Sequence, residues 1–173
     1  MPWSRLKALV ESRQAPALGG RVTLHQARYR HAREEVGRVW VAVDGQEVAA
    51  FATHMGYARV RPLADSLMDE RNAWRSTSAY ADATTDAEAQ LRTAGEFSDA
   101  VALDDLEGYL SLTVEAALSS DSPLVRALAM LDSRLGKRRL RALEVAPSEH
   151  PFVRRMYELR CGVERIRPIE PAV

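Results

Sequence analysis

Cysteine is nearly absent from this 173-residue chain, which contains a single one, Cys161. One cysteine excludes an internal disulfide and a zinc site built on four thiolates, and it is typical of a protein in a reducing cytosol. The chain also lacks any run of about 18 apolar residues, so we expect no membrane-spanning helix. Its first residues, M-P-W-S-R-L-K-A-L-V, lack the basic-then-apolar order of a secretory signal. Together these absences predict a cytoplasmic protein.

The motifs of common enzyme and cofactor-binding classes are missing as well. There is no G-x-S-x-G nucleophile elbow, no H-E-x-x-H zinc motif and no glycine fingerprint of a dinucleotide site. Gly136-Lys137 is followed by arginine, whereas a phosphate-binding loop has serine or threonine there. We therefore predict no cofactor and no bound metal, and these absences favour a non-catalytic protein.

Charge is divided along the chain although its total is zero. Residues 1–40 carry 8 basic and 3 acidic side chains, residues 41–123 carry 5 and 15, and residues 124–173 carry 11 and 6. Two interpretations stay open. Either the basic ends pack beside the acidic middle, or a basic surface serves an anionic partner.

The N-terminal part of the sequence indicates one helix followed by strands. Residues 4–14 have apolar residues at helical spacing, with Ser4 as a cap. The apolar face of this helix would contain Leu6, Leu9 and Val10. Alternating apolar residues predict strands over 21–29, 37–43 and 47–53, and Asp44-Gly45 predicts a tight hairpin between the last two. A three-stranded antiparallel meander follows from this pattern.

The pattern becomes helical from Pro62 onward. Helices are expected over 63–75, 113–119 and 137–143. A capping box at Thr85–Glu88 would begin a helix that ends at Gly95, and an N-cap at Ser122-Pro123 would begin one that ends at Gly136. Two more helices would begin at Ser98 and at Pro151. Their buried stripes would be Leu63, Leu67 and Trp74; Leu103, Leu106 and Leu110; Leu124, Leu128, Leu131 and Leu135; and Phe152, Met156, Leu159 and Val163. These helices predict a C-terminal helical bundle.

The fold class that follows is α+β. We predict an α/antiparallel-sheet subdomain over residues 1–75, a polar linker over 76–85, a helical subdomain over 86–165 and a tail over 166–173. The two subdomains would form one compact domain, because the sheet has one face that the helices can cover.

A few single residues carry groups that catalysis or metal binding uses. His25 and His31 are six apart, about 20 Å along a strand, which is too far for one metal ion. His54, with Glu34 or Glu35, could complete a histidine–carboxylate site, although solvent-facing histidines are the favoured interpretation. His150 precedes Pro151 and suits a helix cap. Cys161 suits a packing residue, and Asp132 suits an ion pair that joins two helices through Arg134, Arg138 or Arg139.

A dense cluster of cations near the C-terminus is the feature that most suggests binding. It comprises Arg134, Lys137, Arg138, Arg139, Arg141, Arg154 and Arg155. These side chains could pair with the acidic residues of 96–121 or face a protein partner, or they could hold phosphates. The aromatic platforms of single-strand binders are scarce nearby, which favours the structural or protein-facing role.

Several strings resemble a small family of uncharacterised bacterial proteins of similar length. They are P-W-S-R-L-K at 2–7, P-A-L-G-G-R-V at 16–22, G-R-V-W-V-A-V-D at 37–44, G-E-F-S at 95–98, S-D-S-P-L-V-R-A-L-A-M-L-D-S-R-L-G-K-R-R-L at 120–140 and Y-E-L-R-C at 157–161. The resemblance implies a bacterial cytosolic protein and supplies no functional residues.

Three hypotheses for function follow. The leading one is a non-catalytic cytosolic protein that binds another macromolecule, most simply a protein, through its charged segments. The second is nucleic-acid binding through the arginines of 134–155. The third is an enzyme of unrecognised type that uses His25, His54 and Asp132, which requires a pocket joining at least two of them.

Overall fold

A computed structural model describes residues 1–28, 37–52, 59–74, 76–93 and 99–167. In these residues an N-terminal helix is followed by a three-stranded antiparallel sheet and then by helices. The predicted α+β class is therefore confirmed. Predictions for His31, His54, Glu34, Glu35, Gly95, Ser98 and residues 168–173 lie outside the described residues.

Helix α1 (Trp3–Ser12) agrees with the predicted N-terminal helix but begins differently. Pro2 precedes its first residue, and no side chain caps it, so the predicted cap at Ser4 is wrong. Leu6 and Val10 are buried, whereas Leu9 is 39% exposed and does not belong to the buried face. A stripe of two residues four apart is enough to dock this short helix on β1.

The sheet has the predicted meander topology, with β1 (Val22–Arg28), β2 (Gly37–Val43) and β3 (Gln46–Ala52) in the order β1-β2-β3. Asp44 and Gly45 have φ of 51° and 79°, which is the left-handed conformation that a tight two-residue hairpin needs. Val39, Val41 and Val43 face the core as predicted. A bulge at Val41/Ala42 shifts the pairing of β2 with β3.

Helices α2 (Arg61–Arg71) and α3 (Thr77–Thr93) form a helical hairpin where a linker is expected. Residues 77–85 are the first part of α3 and so do not form the expected loop, while the role of 76–85 as a boundary between subdomains remains a prediction. The proposed cap Thr85 lies inside the helix, and its hydroxyl donates to the carbonyl of Ala81. The reason is the alanine spacing, because Ala83 and Ala87 pack one turn apart against α2. Trp74 lies after α2 and is 53% exposed rather than buried.

Five further helices complete the described chain: α4 (Asp99–Tyr109), α5 (Val114–Leu118), α6 (Pro123–Leu131), α7 (Lys137–Ala142) and α8 (Pro151–Glu164). Ser122 caps α6 as predicted, by accepting from the Val125 N–H. The helix ends at Leu131, however, and not at Gly136. The leucines of its predicted stripe, including Leu135 beyond the helix end, are all buried.

The remaining stripes are partly correct. Leu106 is buried, but Tyr109 rather than Leu103 or Leu110 completes the inward face of α4. On α8 the buried residues are Phe152, Val153, Met156, Tyr157, Arg160 and Cys161, while Leu159 and Val163 are partly buried. The buried face of α8 is thus wider than a single stripe, because α6, α7 and the 3₁₀ turn Pro16–Leu18 all pack against it.

One large apolar cluster joins α1, the sheet and α4 to α8, and a second, small cluster lies between α2 and α3. The large cluster contains residues from both predicted subdomains, and it includes Ile166 of the predicted tail. The division into subdomains itself remains a prediction. Among the helices of the described ranges, none is both long and apolar enough to cross a membrane.

Candidate interaction site

The members of the predicted cationic cluster differ in their contacts. Three members pair with carboxylates: Arg134 with Asp132 at 2.7 Å, Lys137 with Glu164 at 2.7 Å and Arg139 with Glu115. Arg138 and Arg141 are exposed on the short helix α7 and form no ion pair with the residues that the structure describes. The cluster is therefore not one uniform cationic surface, and its role in binding remains a prediction.

The two members on α8 lie near its first turn. Arg154 is half-buried, and its Nε is buried without a hydrogen-bond partner among the described residues. Arg155 is exposed and lines a groove against β3. The structure thus places Arg155 at a concave surface.

Asp132 is fully buried at the end of α6 and accepts hydrogen bonds from two directions. The hydroxyl of Tyr109 donates to its Oδ2 at 2.5 Å, and the Arg134 guanidinium donates at 2.7 to 3.1 Å. The backbone N–H of Arg134 donates at 2.8 Å. The predicted ion pair with Arg134 is present, but Tyr109 on α4 makes the tie to a second helix, and Arg138 and Arg139 make no described contact with Asp132.

These contacts determine the protonation state of Asp132. Burial raises the pKa of Asp132, but the hydrogen bonds from Arg134 and Tyr109 outweigh it and hold that pKa below its usual value. Burial, followed by the hydrogen bond to Asp132, raises the pKa of Tyr109. Asp132 is therefore an ionised structural acceptor, with its lone pairs occupied, and not a carboxyl ready to transfer protons.

Arg160 is a buried cation that the sequence pattern did not reveal. Its side chain is 3% exposed, and it donates to the carbonyls of Leu131, Asp132 and Leu135 at 3.0 to 3.4 Å. Its guanidinium also pairs with Glu164 at 3.1 Å. A helix that ends in the interior leaves its last carbonyls without intrahelical donors, and Arg160 supplies them to the end of α6. The only sign in the sequence is an arginine within an apolar helix face.

The histidines are placed in separate surroundings. His25 stacks on Trp40 with ring centroids 5.0 Å apart, and its Nε2 is 2.9 Å from the Thr23 hydroxyl. His150 caps α8 as predicted, because its Nδ1 accepts from the Phe152 N–H at 3.1 Å. Within the described ranges, no group of three histidine, cysteine or acidic residues could hold a metal ion.

Cys161 is buried in the core, in agreement with its predicted packing role. Burial raises the pKa of its thiol, so the reactive thiolate is disfavoured. The thiol therefore behaves as a small apolar side chain.

A groove of about 280 Å³ lies between β3 and the start of α8. Its walls are Val48, Ala49, Ala50 and Phe51 on the strand and His150, Pro151, Phe152 and Arg155 on the helix side. Small-molecule pockets usually measure about 300 to 1,000 Å³, so this groove lies just below that range and is too small for a large cofactor. Neither His25 nor Asp132 lines it.

Comparison with known proteins gives one match. The chain matches the SF0329 protein family over residues 2–161, which agrees with the resemblance seen in the sequence. No match was found among the curated proteins or among the solved structures. Because the matched region contains every described helix and strand except the last residues of α8, the chain belongs to the SF0329 protein family.

Proposed function

We propose that this protein acts by binding another protein, and that the partner docks in the groove between β3 and α8. The observation that carries the proposal is the combination of a mostly apolar lining with one exposed arginine, Arg155. Binding sites in proteins commonly combine an apolar floor with a few polar groups that fix orientation.

The described polar groups support protein binding better than they support catalysis or nucleic-acid binding. Asp132, one candidate for acid–base chemistry, is buried among its own donors and does not line the groove. A nucleic-acid surface needs several cations that are free for phosphates. Three of the predicted seven are already paired with carboxylates.

We also propose that the protein works in a bacterial cytosol. Its single cysteine is unpaired and buried, which is typical of proteins that fold under reducing conditions. The bacterial origin is proposed from the strings that resemble the family.

Affinity capture with matched variants tests the proposed function. The bait is the tagged full chain, and Ala50→Arg blocks the groove from an exposed position of β3. The control, Arg138→Glu with Arg141→Glu, changes two exposed cations on α7 and leaves the groove lining intact. We expect one stoichiometric protein that survives nuclease, is lost with Ala50→Arg and is kept by the control.

Two other outcomes contradict the proposal. Capture that is lost on nuclease treatment and with the α7 control variant would assign the exposed arginines to nucleic acid. Capture of the same protein by wild type and Ala50→Arg alike would place the interface elsewhere. Circular dichroism and thermal unfolding of each variant verify that it is folded.

A further inference from the structure

The turn that joins α2 to α3 carries an exposed aromatic pair. Trp74 is 53% exposed, and the ring of Tyr80, near the start of α3, lies beside it with ring centroids 6.4 Å apart. Tyr80 packs against the small apolar cluster between the two helices, whereas Trp74 does not belong to that cluster. Aromatic rings are favoured at binding surfaces, because each offers a large contact area with few rotatable bonds. This turn therefore presents an aromatic surface that is open to solvent.

The indole of Trp74 is held in place by the protein itself. Its Nε1–H donates a hydrogen bond to Oδ1 of Asp69 at 2.6 Å, which fixes the direction of the ring. The backbone is constrained on both sides of the turn. Asn72 ends α2 with φ of 48°, and the Ser76 hydroxyl accepts from the Ala79 N–H at 3.2 Å. A ring that is already oriented loses little conformational entropy when it binds a partner.

Unpaired negative charge lies beside the indole. Asp69 and Glu70 are exposed, and neither forms an ion pair with a residue that the structure describes. Arg71, the next residue, is already paired with Asp86 on α3. Arg61 lies at the other end of α2, about 12 Å from Asp69 along the helix axis. The described surroundings of the indole therefore favour a positively charged ligand.

The sheet of the same protein shows what a tryptophan ring and a nearby carboxylate can hold together. The Arg38 guanidinium lies over the Trp40 ring, 4.8 Å from its centroid, and pairs with the Glu47 carboxylate. A guanidinium is attracted to the face of an indole and can donate to a carboxylate at the same time. Trp74 and Asp69 repeat the ring and the carboxylate, but no described cation lies over the Trp74 ring.

We infer that Trp74, Tyr80 and Asp69 bind an arginine side chain from an extended basic segment of another protein. The guanidinium lies on the exposed face of the indole and donates to Oδ2 of Asp69, which accepts no hydrogen bond from a described residue. Lysine fits less well, because its ammonium group cannot stack as a plane. The inference goes beyond the proposed function, since none of these three residues lines the groove between β3 and α8.

Selection from a displayed library of random 12-residue peptides tests the inference. The full-length protein is the target, and peptides that also bind Trp74→Ala are removed. We expect the remaining peptides to share an arginine. Replacing that arginine by citrulline keeps the planar shape but removes the charge, and it should weaken binding roughly 3- to 30-fold, the effect of losing a cation–π contact. Replacing it by lysine should retain part of the affinity.

Variants of the protein separate the ring from the carboxylate. Trp74→Phe keeps a smaller aromatic face and should weaken a selected peptide less than Trp74→Ala does. Asp69→Asn keeps an oxygen acceptor for the indole N–H but removes the charge, so it should weaken the arginine peptide and leave the citrulline version unchanged. Glu88→Gln removes the same charge from an exposed position of α3, about two turns beyond Tyr80, and should have no effect.

A further control concerns the residue that follows Trp74 in the sequence, Arg75, which lies outside the described residues. Arg75→Ala should bind the selected peptide at least as tightly as wild type, because it removes a charge of the same sign as the peptide's arginine. Loss of binding in this variant would assign the peptide to Arg75 and overturn the inference. Circular dichroism of each variant verifies that the helices are intact.

The remaining failures are distinct from a failure of the proposed function. A selection without Trp74-dependent peptides, or one whose peptides lack arginine and tolerate Asp69→Asn, overturns the inference. Peptide binding that is lost with Ala50→Arg would place the peptide in the groove and overturn it as well. A dimer in sedimentation that Trp74→Ala abolishes would assign the surface to a second copy of the chain instead. The capture experiment with Ala50→Arg decides the proposed function independently of these results.

Discussion

Replacing Asp132 by alanine should destabilise the protein more than any change to an exposed ion pair. The change leaves the buried hydroxyl of Tyr109 without its acceptor at 2.5 Å, which costs about 1 to 3 kcal/mol. It also removes the partner of Arg134, but that side chain is 38% exposed and water can solvate it, so we count only about 1 kcal/mol for the pair. We expect a loss of about 3 kcal/mol in the free energy of unfolding.

Urea unfolding monitored by circular dichroism measures this loss directly. For a chain of this size, about 3 kcal/mol corresponds to a decrease of roughly 6 to 12 °C in Tm. Glu115→Ala is the control, because it breaks the exposed pair with Arg139 and should leave the unfolding midpoint unchanged within error. A loss below about 1 kcal/mol for Asp132→Ala would refute the reasoning, because it would mean that the buried carboxylate contributes no more than a surface charge.

A double-mutant cycle and the stability at acidic pH test whether the contacts of the Asp132 carboxylate cause this loss. Asp132→Ala combined with Tyr109→Phe should cost about 1 to 2 kcal/mol less than the two single changes together, since both remove one hydrogen bond. The pKa of Asp132 is held below its usual value in the folded protein, so its ionisation stabilises the fold above the unfolded pKa of about 3.9. That contribution is lost as the pH falls through the folded pKa. The difference between wild type and Asp132→Ala should therefore narrow in acid.

The remaining predictions concern buried contacts and the exposed cations. Arg160→Lys should lower the free energy of unfolding by about 2 kcal/mol, measured in urea, because a single ammonium cannot reach all the carbonyls that the guanidinium fork binds. Ser122→Ala removes the cap of α6 and should cost about 1 kcal/mol in the same assay, and Ser122→Thr should recover most of it. Fluorescence anisotropy with a labelled single-stranded oligonucleotide should show weak binding with a shallow salt dependence. A steep salt slope that disappears in Arg138→Glu with Arg141→Glu would instead favour the nucleic-acid hypothesis.

The sheet could be predicted because its signals are local. Alternation with period two and the Asp44-Gly45 turn depend on neighbouring residues only, and both are found in the structure. The helical hairpin of α2 and α3 could not be read in the same way. Its contacts use alanines within a segment rich in serine and threonine, and such a composition resembles a loop until the opposite helix is known.

The end of α6 shows how a correct pattern can give a wrong boundary. Leu131 and Leu135 continue the helical spacing and are both buried, yet the helix stops between them. Asp132 accepts from the Arg134 N–H two residues later, and this local bond offers the backbone an alternative to another helical turn. The spacing of the apolar residues does not reveal this alternative hydrogen bond.

The candidate groove was beyond prediction for a different reason. Its two walls, around Ala50 and around Phe152, are far apart in the sequence and meet only through the packing of the core. Arg155 was named among seven cations, but nothing in the sequence separates it from the others. Only the fold places its side chain at the groove, whereas Arg138 and Arg141 are exposed on α7.

The end of α1 is joined to the end of α6 by a short antiparallel bridge, and this has a consequence for synthesis on the ribosome. The N–H of Ala15 donates to the carbonyl of Leu131 at 2.8 Å, and the N–H of Ser133 donates to the carbonyl of Arg13 at 2.7 Å. Translation reaches these partners on the order of ten seconds after α1 has been made. During that interval the apolar face of α1, with Leu6 and Val10, lacks its final packing. The nascent chain therefore completes this part of its core only after α6 has been made, and α1 is a segment on which a chaperone could act until then.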